Sequence, residues 1–414
     1  MGEHQSGVPR RDRQSCEYEL YIPDPVGGRS IALDGPVAAD VADAETAITR
    51  LNLEARALSN SEALARLLLR SESVASSKIE GLEVGAHRLL RAGAAREAGE
   101  ETTDVTAAEV LGNIEAMTYA IANVGEGDPI TVELLLETHR RLLAGSRMEK
   151  HGGRIRERQN WIGGSSFNPC GAAYVPPPCE LVEDYLKDLC EFCNADSLPA
   201  VAQAAVAHAQ FETVHPFIDG NGRTGRALIH MVLRRRGLAP RVLPPVSLVL
   251  ATWAIEYVAA LAATRYVGSS VSTAAQEGLN SWMGLFAAAT RRAVADASAF
   301  EERIAGLEAV WRTRLGRVRR DSGTDLLLSA LPGAPILTVQ GAATLIGRSV
   351  QATNEAVARL EEARVLRQVT VGRRNRAFEA PHVIRVFTEL ERQLASPTGD
   401  TRTTPPSRRV PRRD

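Results

Sequence analysis

The sequence is poor in lysine, in net charge and in long apolar runs. Lys78, Lys150 and Lys187 are its only lysines among 49 basic residues, so a single arginine is a weak functional signal. A formal net charge of −1 gives no overall field that would attract nucleic acid, a membrane surface or an acidic substrate. No apolar run reaches the roughly 18 residues of a spanning helix, and the polar residues 1–13 lack the apolar core of a secretory signal. We therefore expect a cytoplasmic protein with no membrane partner.

Cysteine is also scarce. Five cysteines, an odd number in a chain of 414 residues, do not indicate a disulfide framework. Cys190 and Cys193 have the spacing of a redox or zinc motif, but they lie in a run with helical periodicity and no second pair accompanies them. Two buried thiols are the simpler interpretation.

The length and the apolar pattern indicate two or three mainly helical domains. A single hydrophobic core rarely grows beyond about 250–300 residues. Apolar residues recur at intervals of three and four, as in Leu64, Leu67 and Leu68, which predicts amphipathic helices rather than strands. The predicted organisation is a polar tail at 1–17, a helical segment at 18–105, a helical core at 106–240, a helical extension at 241–322, a C-terminal module at 323–392 and a disordered basic tail at 393–414.

The C-terminal module has the order of a winged helix-turn-helix. A first helix is followed by a glycine turn, a longer helix at 350–363 and a hairpin. The hairpin would carry Arg367, Arg373, Arg374 and Arg376, and a basic wing suits DNA phosphates. The longer helix, however, carries Glu355, Glu361 and Glu362. Because many such modules bind proteins instead, DNA stays an open partner.

One segment combines the residue types that phosphate chemistry needs. Residues 215–226 lie between two predicted helices and read His-Pro-Phe-Ile-Asp-Gly-Asn-Gly-Arg-Thr-Gly-Arg. Pro216 ends the first helix, and the glycines allow a tight loop that presents its amides at the N-terminus of the second, where an anion binds. His215 can accept a proton at neutral pH, Asp219 is a suitable magnesium ligand, and arginine side chains can neutralise phosphates.

Three simpler interpretations compete with an active site at this loop. The glycines could form a structural turn only, and the arginines could reflect composition. His208, Glu212 and His215 could bind zinc at helical spacing, but the His-Glu-x-x-His order is missing and Pro216 interrupts the helix. The segment is not a P-loop, because no Gly-x-x-x-x-Gly-Lys-Ser/Thr occurs.

The same segment resembles the Fic signature His-Pro-Phe-x-Asp/Glu-Gly-Asn-Gly-Arg-x-x-Arg at all nine of its defined positions. The resemblance implies a helical Fic core with a β-hairpin flap that transfers a nucleotide, usually AMP from ATP, to a protein hydroxyl. By position it implies the following roles: His215 is the base, Asp219 holds Mg²⁺, Asn221 with the amides of Gly220 and Gly222 stabilises phosphates, Arg223 contacts the leaving pyrophosphate and Arg226 contacts the γ-phosphate.

Two further segments are similar to parts of the same family. Two short strand-like runs at 160–175 surround a turn and resemble the Fic flap, which implies that Asn160, Trp161, Ile162 and Gly163 bind an extended target segment. A structural hairpin packed by Trp161 is the alternative for this segment.

Upstream, residues 76–81 read Ser-Ser-Lys-Ile-Glu-Gly and resemble the inhibitory motif Ser/Thr-x-x-x-Glu-Gly/Asn. Ser76 and Glu80 share a helix face because they are four residues apart. The resemblance implies that Glu80 pairs with Arg226 and so denies it to the γ-phosphate. A solvated helix residue is the alternative for Glu80.

Together these features predict an autoinhibited protein adenylyltransferase that uses ATP and Mg²⁺ and acts on Ser, Thr or Tyr hydroxyls of a protein target. Two other readings stay open. The chain could be a DNA-binding regulator whose Fic core senses nucleotide or modifies only itself, or a Fic enzyme that uses another nucleotide or removes AMP. The sequence does not fix the oligomeric state, and a homo-oligomer is compatible with it.

Overall fold

The structure is a computed structural model that describes residues 16–57, 61–97, 99, 104–165, 167–371 and 375–394. The tails predicted at 1–17 and 393–414 fall almost wholly outside these ranges. Within them the chain is 64% helical with one small sheet, which confirms the mainly α fold class.

The helices and strands follow one another in this order: α1 Gly35–Ala57, α2 Ser61–Ile79, α3 Ala86–Glu97, α4 Val105–Ala122, α5 Val132–Leu143, α6 Val182–Asn194, α7 Ala200–Val214, α8 Asn221–Arg235, α9 Val246–Thr252, α10 Ala254–Ala263, α11 Thr273–Leu315, α12 Gly323–Ala330, β1 Ile336–Thr338, α13 Val339–Ile346, α14 Val350–Glu362, β2 Arg367–Val371, β3 Asn375–Glu379 and α15 Pro381–Leu394.

Helices α7 and α8 form the centre of the core. Nearly every residue of α7 is buried, and its many alanines allow α6, α8 and α11 to pack closely around it. The 43-residue α11 contributes Trp282, which is fully buried and donates its indole N–H to Ala205 O at 2.7 Å. The loop between α7 and α8 is therefore held by two of the most enclosed elements of the protein.

Helix α2 is fixed on its other side so that its C-terminal end faces α8. It packs against α4, α8 and α9. Asn113 of α4 donates through Nδ2 to Ser73 O at 2.8 Å and to Ser77 Oγ at 3.0 Å. These bonds leave Ser76, which lies one position before Ser77, to turn toward α8.

The C-terminal elements appear in the predicted order. Helix α13 ends at Gly347, whose φ of 61° is left-handed, α14 follows, and β2 and β3 pair in a sheet of order β1-β3-β2. The module packs on α3, where His87 Nε2 lies 3.0 Å from Oε2 of the buried Glu379. Arg373 and Arg374 lie outside the described residues, so the winged-helix assignment and its partner stay predictions.

The predicted flap hairpin is less regular than expected. Its two strand-like runs meet in a single antiparallel bridge between Ile162 and Tyr174. Gly163 and Gly164 have φ values of 78° and 72°, which turns the chain out of the extended direction directly after Ile162. The prolines at 176–178 lack the N–H groups that would extend the ladder at the other end.

One pair of cysteines forms a disulfide that was not expected from the sequence. Cys16 and Cys170 are joined in a disulfide with their Cα atoms 5.9 Å apart, a pairing that the sequence did not suggest. The bond ties the start of the described chain to the flap segment. Cys190 and Cys193 are free and buried, as expected, and burial raises the pKa of the Cys190 thiol to about 12.

The length and the apolar content of a helix decide whether it could cross a membrane. No single helix among the described residues is long and apolar enough to cross a bilayer. The two short helices α9 and α10 reach that length and apolar content only when taken together, and the chain bends by 98° between them.

Candidate active site

The loop from His215 to Gly220 is shaped by two left-handed residues. Helix α7 ends at Val214, and His215 adopts φ 50° and ψ 60°, a conformation that a histidine rarely takes. Gly220 has φ 80° at the start of α8, and a Cβ there would lie 2.8 Å from Leu142 Cδ2. Only glycine fits this position, because it meets both the left-handed backbone and the close approach of α5.

The carbonyls of this loop are held from outside by residues of the flap segment. Arg156, only 2% exposed, donates through Nε to His215 O at 3.0 Å. Asn160 donates through Nδ2 to Phe217 O at 2.9 Å. Asn221 closes the loop from within, because its Oδ1 accepts from Phe217 N and its Nδ2 donates to Phe217 O, each at 2.8 Å. The side chain of Asn221 is thus committed to the loop rather than turned toward a phosphate.

His215 is held as a neutral imidazole. Burial and, after it, the positive charge of Arg156 lower the pKa of its ring to about 4. A pKa below 7 leaves the ring unprotonated at neutral pH, which is the state that a general base requires. The backbone strain at His215 and the shifted pKa occur in the same residue, a combination typical of functional sites.

The N-terminus of α8 is prepared for an anion. No side chain caps this helix, so its first amides point toward the loop without a capping acceptor. Arg223 and Arg226 lie on the first turns of the same helix, 4% and 1% exposed. The Asp219 side chain is 46% exposed at the edge of the loop, and Arg223 Nη2 lies 3.2 Å from its Oδ2. One Asp219 oxygen faces solvent beside the anion site.

The Glu80 carboxylate lies at this anion site, beside Arg226. Arg226 donates through Nη2 to Glu80 Oε1 at 2.8 Å and to Ser76 O at 2.7 Å, and through Nε to Ser76 Oγ at 2.8 Å. Burial alone would raise the pKa of the Glu80 carboxyl, but the charge and hydrogen bond of Arg226 outweigh it and lower the pKa. The ion pair that the resemblance implied is present.

The Glu80 carboxylate lies directly over the first turn of α8. A Cβ placed on Gly222 would come within 1.9 Å of Glu80 Oε1, so the glycine is what allows the carboxylate to reach this position. Although protein atoms surround the group, 37% of its side chain stays open to solvent. An anionic oxygen thus sits where helix amides and Arg226 would hold a phosphate oxygen.

His139 is a site residue that the sequence reading missed. Its Nδ1 accepts from Gly153 N at 3.0 Å, so its Nε2 carries the proton and donates to Asp219 O at 2.9 Å. Its ring stacks on Phe217 with centroids 3.7 Å apart. Burial lowers the pKa of His139 to about 4, which agrees with this neutral tautomer. The only sequence signal was a histidine four residues after Leu135, on the apolar face of a predicted helix.

The zinc alternative is not supported by the geometry. His208 Nε2 is hydrogen-bonded to Tyr257 Oη at 2.7 Å. Glu212 is half-buried beside Gly225, and desolvation raises the pKa of its carboxyl to about 7. Within the part of the chain that the structure describes, no three His, Cys, Asp or Glu side chains lie close enough to hold a metal.

The flap residues lie next to the loop. Ile162 exchanges backbone hydrogen bonds with Ala173 and Tyr174, and its side chain is 38% exposed. Trp161 donates its indole N–H to Ser165 O at 2.7 Å. In an extended antiparallel pair the residue beside a bonded one points its backbone groups the other way, so we expect those of Trp161 to face away from Tyr174.

Two parts of the chain match families of known proteins. Residues 129–233 match the Fic/DOC family, and residues 38–122 match the Fic/DOC family N-terminal region. The protein adenylyltransferase fic-1 of Caenorhabditis elegans is 35% identical over 141 residues, and the protein adenylyltransferase Fic of Drosophila willistoni is 38% identical over 136 residues. Each match covers 33% of this chain and 26% of the relative, so the chain spans about a quarter of the length of these relatives.

A solved structure shares the fold over most of the chain. The crystal structure of a Fic family protein from Desulfovibrio desulfuricans G20 superposes with a TM-score of 0.51. It is 19% identical in sequence, and the match covers 88% of this chain and 98% of that one. At this identity the likeness supports the fold alone.

The loop geometry makes Asn221 a structural residue, and this can be tested. We expect Asn221→Ala to lower the free energy of unfolding by about 1–3 kcal/mol, because the buried Phe217 N–H loses its acceptor. Urea unfolding measures the change. The control Asn354→Ala, at an exposed position of α14, is expected to shift stability by less than about 0.5 kcal/mol. An equally small effect of Asn221→Ala would contradict the closing role.

Proposed function

Because residues 38–122 and 129–233 make this chain a member of the Fic/DOC family, we propose that it is an autoinhibited protein adenylyltransferase that moves AMP from ATP to a hydroxyl side chain of a protein. The observation that carries the proposal is the convergence of a neutral, half-buried base, an uncapped helix N-terminus and two buried arginines on one loop. The names of the relatives support the same activity.

The proposed reaction is a displacement at the α-phosphorus of ATP. The target hydroxyl oxygen forms a bond to that phosphorus, and the phosphorus–oxygen bond to pyrophosphate breaks, with the electron pair leaving on pyrophosphate. His215 accepts the hydroxyl proton. The amides of Gly220 and Gly222 and the guanidinium of Arg226 stabilise the phosphate charge, and Arg223 meets the leaving pyrophosphate. Such chemistry depends mainly on positioning and on charge stabilisation.

Magnesium fits the residues present. Asp219 offers a hard carboxylate oxygen at the solvent edge of the anion site, and one carboxylate plus substrate phosphates is the usual protein share of such a site. Bound there, Mg²⁺ would neutralise phosphate charge. Two contacts hold that carboxylate in place. His139 Nε2 donates to the Asp219 backbone carbonyl, and Arg223 donates to the Asp219 side chain.

Autoinhibition is proposed from the position of Glu80. Its carboxylate takes the hydrogen bond of Arg226 and the place above Gly222. The γ-phosphate of ATP would then lack a cationic partner, and the α-phosphate would lie out of line for attack. Departure of α2 or of its last residues is required before both phosphates fit.

A protein segment in extended conformation is the proposed target form. The backbone groups of Trp161, beside the bridge at Ile162, are suited to pair with another strand, with Asn160 before them and the turn at Gly163 after them. We place the protein in the cytoplasm. The Cys16–Cys170 disulfide is uncommon in that compartment and makes the location worth testing.

The DNA-binding alternative is less favoured by the charges that are described. Arg367 forms an ion pair with the buried Glu379, and Arg376 Nη2 lies 3.9 Å from Glu361 Oε2 and over the ring of Phe378. These arginines are partly neutralised within the module. Mixing the protein with a cell lysate, Mg²⁺ and labelled ATP separates the two functions, because only a transferase labels another protein. Labelled UTP and GTP in parallel identify the donor.

His215→Ala tests the base. We expect transfer to fall by at least about a hundredfold, because general base catalysis supplies about 10²–10⁴ in rate. ATP binding, measured by calorimetry, is expected to stay close to that of the parent, since the imidazole serves the incoming hydroxyl. Undiminished transfer in this variant would remove His215 from the mechanism.

Asp219→Ala tests the metal ligand. We expect the rate to fall and its dependence on Mg²⁺ concentration to weaken together, because the carboxylate is the protein oxygen closest to the phosphates. Labelled-ATP incorporation across a magnesium series gives both values. Asp184→Ala, which removes an exposed carboxylate on α6, is the matched control and is expected to change neither. Equal parent rates in EDTA and in Mg²⁺ would refute the assignment.

Glu80→Gly tests autoinhibition. Misplacement of a reacting group by about 1 Å costs on the order of a hundredfold in rate, so restoring the alignment is expected to raise transfer on that scale, including transfer onto the protein itself. Glu83→Gly, two positions beyond the motif glycine, is the matched control and is expected to leave the rate unchanged.

The double variant Glu80→Gly with His215→Ala is expected to be inactive again, which separates relief of inhibition from an unrelated gain. Ser76→Ala is expected to activate less than Glu80→Gly, because Ser76 only orients Arg226. A Glu80→Gly rate within about twofold of the parent, at equal folded concentration, would end the hypothesis, since it falls far short of the hundredfold scale.

A further inference from the structure

A carboxylate that the proposed reaction does not use is buried two turns before Glu80. Glu72 lies on α2 with no exposed surface. Ser247 of α9 donates its backbone N–H to Glu72 Oε2 at 2.8 Å and its hydroxyl to Glu72 Oε1. His230 of α8, also fully buried, places Nε2 2.9 Å from the same Oε1. Burying a carboxylate away from water is unfavourable in free energy unless hydrogen-bond donors surround it, so this arrangement requires an explanation.

The three groups form the far end of one polar stripe between α2 and α8. Glu72 and Ser76 of α2 and Glu80 directly after it follow at intervals of four residues, and Gly222, Arg226 and His230 do the same on α8. Glu80 meets Gly222 and Arg226, Ser76 meets Arg226, and Glu72 meets His230. The helices are therefore antiparallel along this stripe.

The two ends of the stripe differ in their access to water. The Glu80 side chain is 37% exposed, so a carboxylate that leaves Arg226 can be solvated. The Glu72 end is closed to solvent, and there a lost partner leaves a buried polar group unsatisfied. Between the two ends, Ser76 accepts two hydrogen bonds from Arg226, so these bonds and the Glu72 contact together align α2 on α8.

We propose that the buried Glu72–His230 contact, with Ser247, sets the register of α2 on α8 and thereby holds Glu80 on Arg226. The three residues are positioning residues for inhibition rather than catalytic ones. Setting register is the best-attested use of a buried polar contact. One helical turn is about 5.4 Å, so a slip of a fraction of a turn is enough to move Glu80 off Gly222. The inference rests on the proposed adenylyltransferase function and deepens its regulation.

The His230–Glu72 contact has a particular geometry. The His230 Nε2 and Glu72 Oε1 atoms are 2.9 Å apart, but neither ring nitrogen of His230 has hydrogen-bond geometry, so this is a close polar contact rather than a well-formed hydrogen bond. His230 Nδ1 has no hydrogen-bond partner among the described residues. A glutamine at position 230 can place an amide nitrogen near the same point, whereas a leucine of similar volume cannot donate at all.

The test measures autotransfer with labelled ATP and Mg²⁺ in the full chain. Glu72→Gln keeps the shape and an acceptor for Ser247 but removes the charge that faces His230. We expect it to raise the parent rate by about tenfold, below the effect of Glu80→Gly, and to leave the rate of a Glu80→Gly background unchanged. Ser71→Ala, which removes a buried hydroxyl bonded within α2 to Leu67 O, is the matched control and is expected not to activate.

A purely structural role predicts the opposite pattern. It lowers the rate in both backgrounds in proportion to the loss of folded protein, and this result would overturn the proposal, as would an unchanged rate in the parent. His230→Leu and His230→Gln decide the question if Glu72→Gln does not fold: activation by leucine with inhibition retained by glutamine supports the register role, and equal rates overturn it. If Glu80→Gly itself fails to activate, the fault lies with the proposed function instead.

Discussion

The structure depends on how it satisfies one buried guanidinium. Arg226 is 1% exposed at the centre of the protein, and an unpaired charge there would be prohibitively unfavourable. Ser76 of α2 and Glu80, which directly follows α2, supply three acceptors and so join this helix to α8, which carries Arg223 and Arg226. The same contact that stabilises the resting fold fills the anion site. A phosphate could satisfy Arg226 equally well, so under the proposed function ATP and Glu80 would compete for one cation.

The rest of the site is built to hold the loop still. Arg156 and Asn160 reach the loop from the flap segment, His139 reaches it from α5, and Asn221 closes it from within. The N–H groups of these side chains donate to backbone carbonyls of the loop, so the left-handed His215 is held by several elements at once. None of these contacts involves Glu80. Under the proposed function, regulation would belong to the Glu80 carboxylate and catalysis to this loop.

The sequence predicts those parts of the candidate site whose residues are close together along the chain. Residues 215–226 carry their loop, their base and their anion site in consecutive positions, and the spacing of Ser76 and Glu80 is visible within one helix. The contacts of His139, Arg156 and Glu72 were not accessible, because each depends on helices that are distant in sequence. Asn221 was assigned to phosphate, but its amide serves the Phe217 backbone. The flap was expected as a hairpin and has one bridge, since two left-handed glycines follow its first strand residue.

Competition between Glu80 and the γ-phosphate is the central claim, and nucleotide affinity tests it most directly. Calorimetry with ATP and with ADP, in the presence of Mg²⁺, compares the parent with Glu80→Gly. In the parent, Arg226 is occupied, so the two nucleotides are expected to bind with similar affinity. In the variant, a hydrogen bond to a charged group worth about 1.5–3 kcal/mol becomes available, which corresponds to a preference for ATP of about 10- to 100-fold. A parent that already prefers ATP to this degree, or a variant that gains no preference, would contradict the account.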